Sequence, residues 1–320
     1  MKPSRLIIGL AIAAIALYFT FRDIDFGALR NALINADWAW FIPAAACFAV
    51  VLLVRAGRWA VILGGTRLST TFHAMNIGYM MNMLLPGRLG EIGRAYVIGE
   101  RTSVSMTRAV SSVVVERLLD LAAVVLMLAV VAQFLPMSPA LVRPAAISGA
   151  LVMVLIAAVG VLIWQADRFE RVLQSILSRM PKLDPERWVA RFRDLCAGFR
   201  AIGQPRRLLA IFVLTLLLWS FSMLMAFLMM FAFVPARFDA ASLMVIVANL
   251  GGAIPTPGGV GPAQYFAKLA LTPFGIDETR GVAFVFVWWF AQLVSLVALG
   301  FAGLFRVGMS LSQLRGQTQS

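Results

Sequence analysis

The sequence predicts an all-α polytopic membrane protein with about six transmembrane helices and two re-entrant or broken segments. Its 320 residues are 61% hydrophobic and only 13% charged, with a mean hydropathy of +0.87, whereas soluble domains carry roughly 25% charged residues. Long apolar runs alternate with basic loops, and two shorter apolar runs end in Pro-Gly breaks. We therefore expect one integral membrane domain, with the breaks related by an inverted repeat. Eight spans are the alternative.

Six segments are interpreted as membrane spans. The first follows a basic tip and lacks a small-x-small cleavage site, so it is interpreted as an uncleaved span with a cytoplasmic N-terminus. A mixed-charge loop, 22–37, separates it from the second. The predicted spans are 1–21, which is apolar from Leu6 onward, 38–63, 107–135, 145–164, 208–233 and 280–305.

The two shorter runs, 70–85 and 240–254, fall below the roughly 20 residues that a crossing helix needs. Each leads into the pattern Pro-Gly-x-x-Gly and then into a returning segment, and the six-span count makes the two enter from opposite faces. Similar breaks in opposite orientation are typical of inverted repeats, here with cores 70–135 and 240–305. The residues predicted to form the structural breaks are Asn82, Pro86, Gly87, Gly90 and Pro255.

The polar stretch 165–207 holds ten basic and five acidic residues. The positive-inside rule places this loop in the cytoplasm. Apolar residues recur at helical spacing from Phe169 to Leu177, which favours a helix lying along the membrane surface. Both termini are then cytoplasmic, 235–279 lies outside, and the membrane is the cytoplasmic (inner) one.

The second break is a candidate headgroup site. Its glycines allow a ligand to approach the backbone, and the helix that opens near Pro262 would direct free N–H groups at a phosphate. A tight turn with no ligand is the alternative. The candidate residues are Pro257, Gly258, Gly259, Gly261 and Gln264.

Charged residues near the first break form the other candidate. Glu116 and Asp120 share a helix face, and a charge at the centre of a span costs roughly 2.5–3.5 kcal/mol, so they should face inward with a partner. The candidate residues are Arg88, Glu91, Arg94, Glu116, Arg117 and Asp120. A structural ion pair of Glu116 with Arg88 or Arg94 is the alternative, and Arg117 is expected to point elsewhere, towards the headgroups.

Arg55 and Arg58 in the second span are predicted to snorkel to the cytoplasmic headgroups or to touch an anionic lipid.

Other functions find little support. The net charge of +13 lies beside apolar spans, not on a nucleic-acid-binding module, and His73 has no second metal ligand. No Ser–His–Asp set, metal cluster or P-loop is visible. We therefore expect that the protein binds no nucleic acid, cofactor or metal and that it is not an enzyme.

Four stretches resemble the lysylphosphatidylglycerol synthase transmembrane-region family, a flippase-like group. They are RAGRW (55–59), NMLLPGRLGEIGRAY (82–96), ERLLD (116–120) and IPTPGGVG (254–261). The resemblance implies a protein linked to moving lipids or lipid-linked glycans. This chain has Gln264 and Trp288-Trp289 where the family often has Glu and Arg. It also ends at Ser320, so we expect no soluble aminoacyl-transfer domain and no synthesis of aminoacylated lipid.

Three functions follow as hypotheses. The first is a flippase for an anionic phospholipid or a polyprenyl-phosphate-linked intermediate, with the headgroup between the two breaks. The second is a membrane scaffold for a glycosyltransferase or lipid-modifying enzyme, which would bind the 165–207 loop. The third and least favoured is an intramembrane enzyme that acts on lipid headgroups.

Overall fold

The computed structural model is helical throughout the part of the chain that it describes. That part comprises 3–22, 24–85, 89–131, 133, 165–178, 204–252, 254, 256, 260–309 and scattered residues of 147–161 and 184–196. No strand occurs among these residues, and the predicted fourth span, 145–164, lies largely outside them. The all-α class is confirmed.

Five of the six predicted spans, all except 145–164, coincide with helices of 19 residues or more. The helices are α1 (Pro3–Phe21), α2 (Phe26–Ile34), α3 (Phe41–Leu63), α4 (Leu68–Leu84), α5 (Gly90–Arg101), α6 (Met106–Val131), α7 (Ala166–Leu177), α8 (Pro205–Phe233), α9 (Phe238–Gly252), α10 (Pro262–Leu271) and α11 (Glu278–Val307). Within the described ranges, three stretches are long and apolar enough to cross a membrane: Trp38–Leu63, Pro205–Phe233 and Glu278–Val307. The 26-residue α6 is also long enough, but it carries four charged residues in its first two-thirds.

The stretch 22–37 was predicted to be a loop, but it contains the helix α2. Asp25 caps this helix by accepting hydrogen bonds from the Gly27 and Ala28 N–H groups, at 2.7 and 3.2 Å. Side-chain caps of this kind satisfy donors that the first turn leaves free. Leu29 and Leu33, one turn apart, pack against the hydrophobic core.

The two short runs form helical hairpins. Helix α4 has 17 residues and is therefore only about 25 Å long, and α5 packs back along it. At the crossing, a Cβ on Gly90 would lie 1.8 Å from the Gly78 carbonyl oxygen. In the second hairpin, formed by α9 and α10, a Cβ on Gly251 would lie 2.6 Å from the Pro262 carbonyl oxygen. Glycine at these positions lets the two backbones touch.

The hairpins open towards opposite ends of α11. Arg101, at the end of α5, donates a hydrogen bond to the Val307 carbonyl. Lys268 of α10 instead pairs with Glu278, its Nζ lying 2.8 Å from Oε2. Since Glu278 and Val307 are the two ends of this 30-residue helix, the hairpins enter the protein from opposite directions. That geometry is what the six-span interpretation requires; the inverted repeat and the orientation in the membrane stay predictions.

Two glycines of α11 let this helix pack closely against the first hairpin. Gly300 faces Met80, and Gly303 faces Ile77 and the His73 carbonyl of α4. In lipid, helices associate through close packing, which small residues permit. The first hairpin is thereby fixed against the last span.

Helix α7 presents apolar side chains outward. Phe169, Val172 and Ile176 are 42%, 51% and 54% exposed, while Leu177 is buried. Large apolar side chains exposed on one face of a charged helix are typical of helices that lie in the membrane interface. A helix is therefore present within the 165–207 stretch, at Ala166–Leu177, and its position on the membrane surface stays a prediction.

Candidate functional site

Seven charged side chains form one connected network inside the helical bundle. Each of three elements contributes: α3 provides Arg55 and Arg58, α5 provides Glu91 and Arg94, and α6 provides Glu116, Arg117 and Asp120. We refer to these seven residues as the charge cluster. Of the residues predicted near the first break, the structure brings together all except Arg88, which lies outside the described residues.

Helical spacing explains why each element presents its charges together. Residues three or four apart lie on the same face of a helix. Arg55 and Arg58 are three apart, as are Glu91 and Arg94, and Glu116 and Asp120 are four apart. Three short motifs thus converge in space.

Three members of the charge cluster, Arg58, Arg94 and Glu116, are buried and form its inner part. Glu116 Oε2 lies 2.7 Å from Arg94 Nη1, and Glu116 Oε1 lies 3.6 Å from Arg58 Nη2. Arg58 also donates a 2.6 Å hydrogen bond to Asp120. Arg58, Arg94 and Glu116 are at most 1% exposed. An unpaired charge at such a position would be costly, so the prediction of a buried partner for Glu116 is confirmed, and among the described arginines it includes Arg94.

Arg94 has spare hydrogen-bonding capacity. Its guanidinium carbon lies 4.6 Å from the centre of the Trp59 ring, a cation–π contact. Its Nε, Nη1 and Nη2 are buried, and none has an aligned hydrogen-bond acceptor. The 2.7 Å contact with Glu116 is therefore an ion pair by distance but not a hydrogen bond by direction. Buried N–H groups of this kind are rare, and they suit an anionic ligand.

The mouth of the charge cluster is formed by Arg117 and Glu91, whose side chains are 31% and 28% exposed. Arg117 contacts three carboxylates: Glu116 at 3.3 Å, Asp120 at 3.7 Å and Glu91 at 3.8 Å. The prediction that Arg117 points elsewhere is therefore wrong, because three acids on two helices draw it inward. Its partial exposure leaves it accessible from outside the bundle.

Arg55 and Arg58 were not predicted as members of this network. Arg58 is fully buried and donates to Thr215 of α8 at 3.3 Å, and Arg55 donates to the Tyr79 hydroxyl at 3.3 Å. Snorkelling is therefore wrong for Arg58. The available signal was the three-residue spacing, which matches that of Glu91 and Arg94.

The second break is not joined to the charge cluster by any contact among the described residues. Gly261 has φ +104° and donates its N–H to Gln264 Oε1 at 2.7 Å. A Cβ on Gly261 would lie 2.9 Å from the Ala13 carbonyl oxygen, so α1 covers this point. The Gly261 N–H is therefore not free, contrary to the expectation for this helix opening. Pro257, Gly258, Gly259 and Pro255 lie outside the described residues, as do Pro86 and Gly87.

Both breaks use a side-chain amide in the same way. Asn82 Oδ1 accepts a 2.9 Å hydrogen bond from the Gly90 N–H, as Gln264 accepts one from Gly261. Gly90 and Gly261 are the last glycines of the two Pro-Gly-x-x-Gly patterns. Gln264, only 2% exposed, thus holds the turn at the position where the resembled family often has Glu.

The chemistry of the charge cluster favours an anion. Four arginines and three carboxylates leave a net charge of +1 when all are ionised. Guanidinium groups match the geometry of phosphate and carboxylate oxygens. Over the described ranges, no group of three or more His, Cys, Asp or Glu side chains could hold a metal ion. The contacts among the seven residues include no nucleophile–base pair.

The family profile described as "Lysylphosphatidylglycerol synthase TM region" matches residues 6–300. Neither the curated proteins nor the solved structures contain a match. The matched stretch covers most of the chain and includes all seven residues of the charge cluster. The chain belongs to the lysylphosphatidylglycerol synthase transmembrane-region family.

Proposed function

We propose that this protein moves a lipid, or a glycan carried on a lipid, across the cytoplasmic membrane. The charge cluster binds the anionic headgroup of that lipid, and the hydrocarbon tails stay in the bilayer. The single observation that carries the proposal is Arg94, a fully buried guanidinium whose N–H groups lack aligned acceptors beside a partly exposed entrance. A phosphate oxygen would supply those acceptors.

The entrance has the properties that a headgroup requires. Arg117 attracts the anion at the mouth, and its three carboxylate partners keep its side chain in place when no headgroup is bound. Arg94 and Arg58 lie deeper. A headgroup therefore exchanges water for arginine N–H groups as it enters, which offsets the cost of removing its charge from water.

The two hairpins give the protein a means of reaching both faces. Irregular backbone is tolerated at membrane depth only where protein buries it or where it lines a wet cavity. The first hairpin carries Arg94 and Glu91, and the second opens towards the other end of α11. Alternate opening of the two hairpins would expose the headgroup to each face in turn.

A scaffold for a lipid-modifying enzyme or glycosyltransferase is the second candidate, and α7 favours it. The exposed Phe169, Val172 and Ile176 offer a partner an apolar strip in the basic loop. A scaffold would move no lipid when purified alone.

Reconstitution separates the two candidates. Purified protein is placed in vesicles that contain a headgroup-labelled anionic phospholipid or a headgroup-labelled polyprenyl phosphate. A membrane-impermeant reagent then destroys the label in the outer leaflet, and lipid movement exposes the remainder to it. We expect faster loss of one of the two labels than in protein-free vesicles. If each label is lost at the same rate in vesicles with protein and in protein-free vesicles, transport is contradicted.

A further inference from the structure

An apolar cavity lies between the end of α1, helix α2 and the first half of α11. Its volume is about 300 Å³, and the side chains around it include Phe21, Leu29, Leu33, Phe286, Val287 and Phe290. The rings of Phe21 and Phe286 lie 4.7 Å apart at its edge. The cavity shares no residue with the charge cluster, which lies on α3, α5 and α6.

The lining excludes polar ligands. All nine residues around the cavity are apolar or aromatic, and Trp289 is the one with a side-chain N–H. A polar group placed there without partners would lose its hydrogen bonds to water, at a cost of roughly 2–7 kcal/mol. Cavities lined in this way stay dry and accept apolar molecules. The volume lies at the lower end of the roughly 300–1,000 Å³ found for ligand pockets, so one slender chain fits better than a bulky ring system.

The surroundings of the cavity indicate where its ligand comes from. Helix α11 is one of the three stretches long and apolar enough to cross a membrane. Phe290, which lines the cavity, is 57% exposed, and Phe26 at the start of α2 is 65% exposed. Apolar side chains exposed on a membrane span face hydrocarbon, so the cavity is continuous with the lipid-facing surface of α11.

We propose that this cavity binds one acyl chain of a bilayer phospholipid. Leu29 and Leu33 of α2 hold the chain against Phe286, Val287 and Phe290 of α11. The lipid comes from the half of the bilayer nearest Glu278, since the lining residues of α11 lie within its first half. The site does not require the protein to transport lipid, and it stands if the proposed function fails.

Photolabelling in vesicles tests this site. The protein is reconstituted with phosphatidylcholine that carries a diazirine in one acyl chain, and labelled residues are located by mass spectrometry after irradiation. We expect label on 29–33 and 282–290 several-fold above that at Leu216, a 53% exposed residue of α8 that represents ordinary lipid contact. Label at the cavity no higher than at Leu216 would overturn the proposal.

A matched pair of variants sharpens the test. Val287→Phe fills the cavity, whereas Val294→Phe adds the same ring at a 52% exposed position on the same helix. We expect several-fold less label on 29–33 in Val287→Phe and wild-type labelling in Val294→Phe. Leu33→Trp fills the cavity from α2 and replaces Val287→Phe if size-exclusion chromatography shows that the latter does not fold. Undiminished label in the folded filling variant, or cross-links to a second protein chain through 29–33, would contradict an acyl-chain site.

Discussion

Arg94 Nη1 lies 2.7 Å from Glu116 Oε2, and this contact joins the returning arm of the first hairpin to α6. Both side chains are buried, and Trp59 covers one face of the guanidinium. The pair therefore has two roles, because it closes the hairpin against α6 and it places inside the bundle a guanidinium whose N–H groups lack aligned hydrogen-bond acceptors. Stability and ligand binding depend on the same residues.

The first prediction concerns Glu116. Replacement by Leu leaves Arg94 and Arg58 buried without this carboxylate, and removing one partner of a buried pair typically costs about 3–5 kcal/mol. Glu116→Gln keeps an acceptor and should cost less. Thermal unfolding in detergent measures both. Equal midpoints for wild type and Glu116→Leu would mean that water, not protein, surrounds this side chain.

The second prediction concerns the crossing of the first hairpin. Gly90→Ala would place a methyl group 1.8 Å from the Gly78 carbonyl oxygen, so the arms must separate. Overpacking of this kind typically costs about 1–3 kcal/mol. Gly252→Ala is the control, since a Cβ there meets no atom within 4 Å. Unfolding midpoints should fall for Gly90→Ala only; an unchanged midpoint would show that the arms are not in contact.

The third prediction concerns the cap at the second break. Gln264→Leu removes the acceptor of the Gly261 N–H, and a buried donor left unsatisfied costs about 1–3 kcal/mol. Gln292→Leu, on α11, is the control, because its side-chain amide donates only a weak 3.5 Å bond to the Trp288 carbonyl. We expect the lower unfolding midpoint for Gln264→Leu. Equal unfolding midpoints would show that the hydrogen bond between Gly261 and Gln264 does not stabilise the protein.

The fourth prediction concerns orientation in the membrane. Cys47 and Cys196, neither of which forms a disulfide, are replaced by Ala, and a single cysteine is then introduced at Ser178 or at Arg280. Arg280 is chosen because it is exposed, whereas its neighbour Thr279 is only 9% exposed. In intact cells an impermeant thiol reagent should label the cysteine at 280 and spare the one at 178. The reverse result would invert the topology.

Local patterns predicted much of the fold. Run length separates 70–85 from the full spans, and the Pro-Gly pattern marks the turn, so the hairpin of α4 and α5 follows from the sequence. Helix α2 was missed because it has only nine residues and lies in the mixed-charge stretch 22–37, although Asp25 is a recognisable cap. Its apolar face is defined by α11, which is far away in sequence.

The charge cluster was predicted only in part, for a similar reason. Glu116 and Asp120 reveal a shared face by spacing alone, and a charged face inside a span needs a partner. Arg58 was assigned to the headgroups because its position near the end of α3 permits snorkelling. What buries it is Thr215 of α8 together with α6, contacts that span 157 and 62 positions in sequence. No local pattern in a single sequence indicates contacts between residues that are so far apart along the chain.

The central claim is that the charge cluster binds the headgroup of a moving lipid, and Arg117 offers the most direct measurement. Arg117→Gln removes the partly exposed guanidinium at the mouth but leaves Arg94, Arg58 and Glu116 in place. Arg237→Gln removes an exposed guanidinium that pairs with Asp239 at the start of α9, away from the cluster. In the vesicle assay with the transported lipid, the account predicts a several-fold lower initial rate for Arg117→Gln and the wild-type rate for Arg237→Gln. A wild-type rate for Arg117→Gln, with the protein folded and inserted, would contradict it.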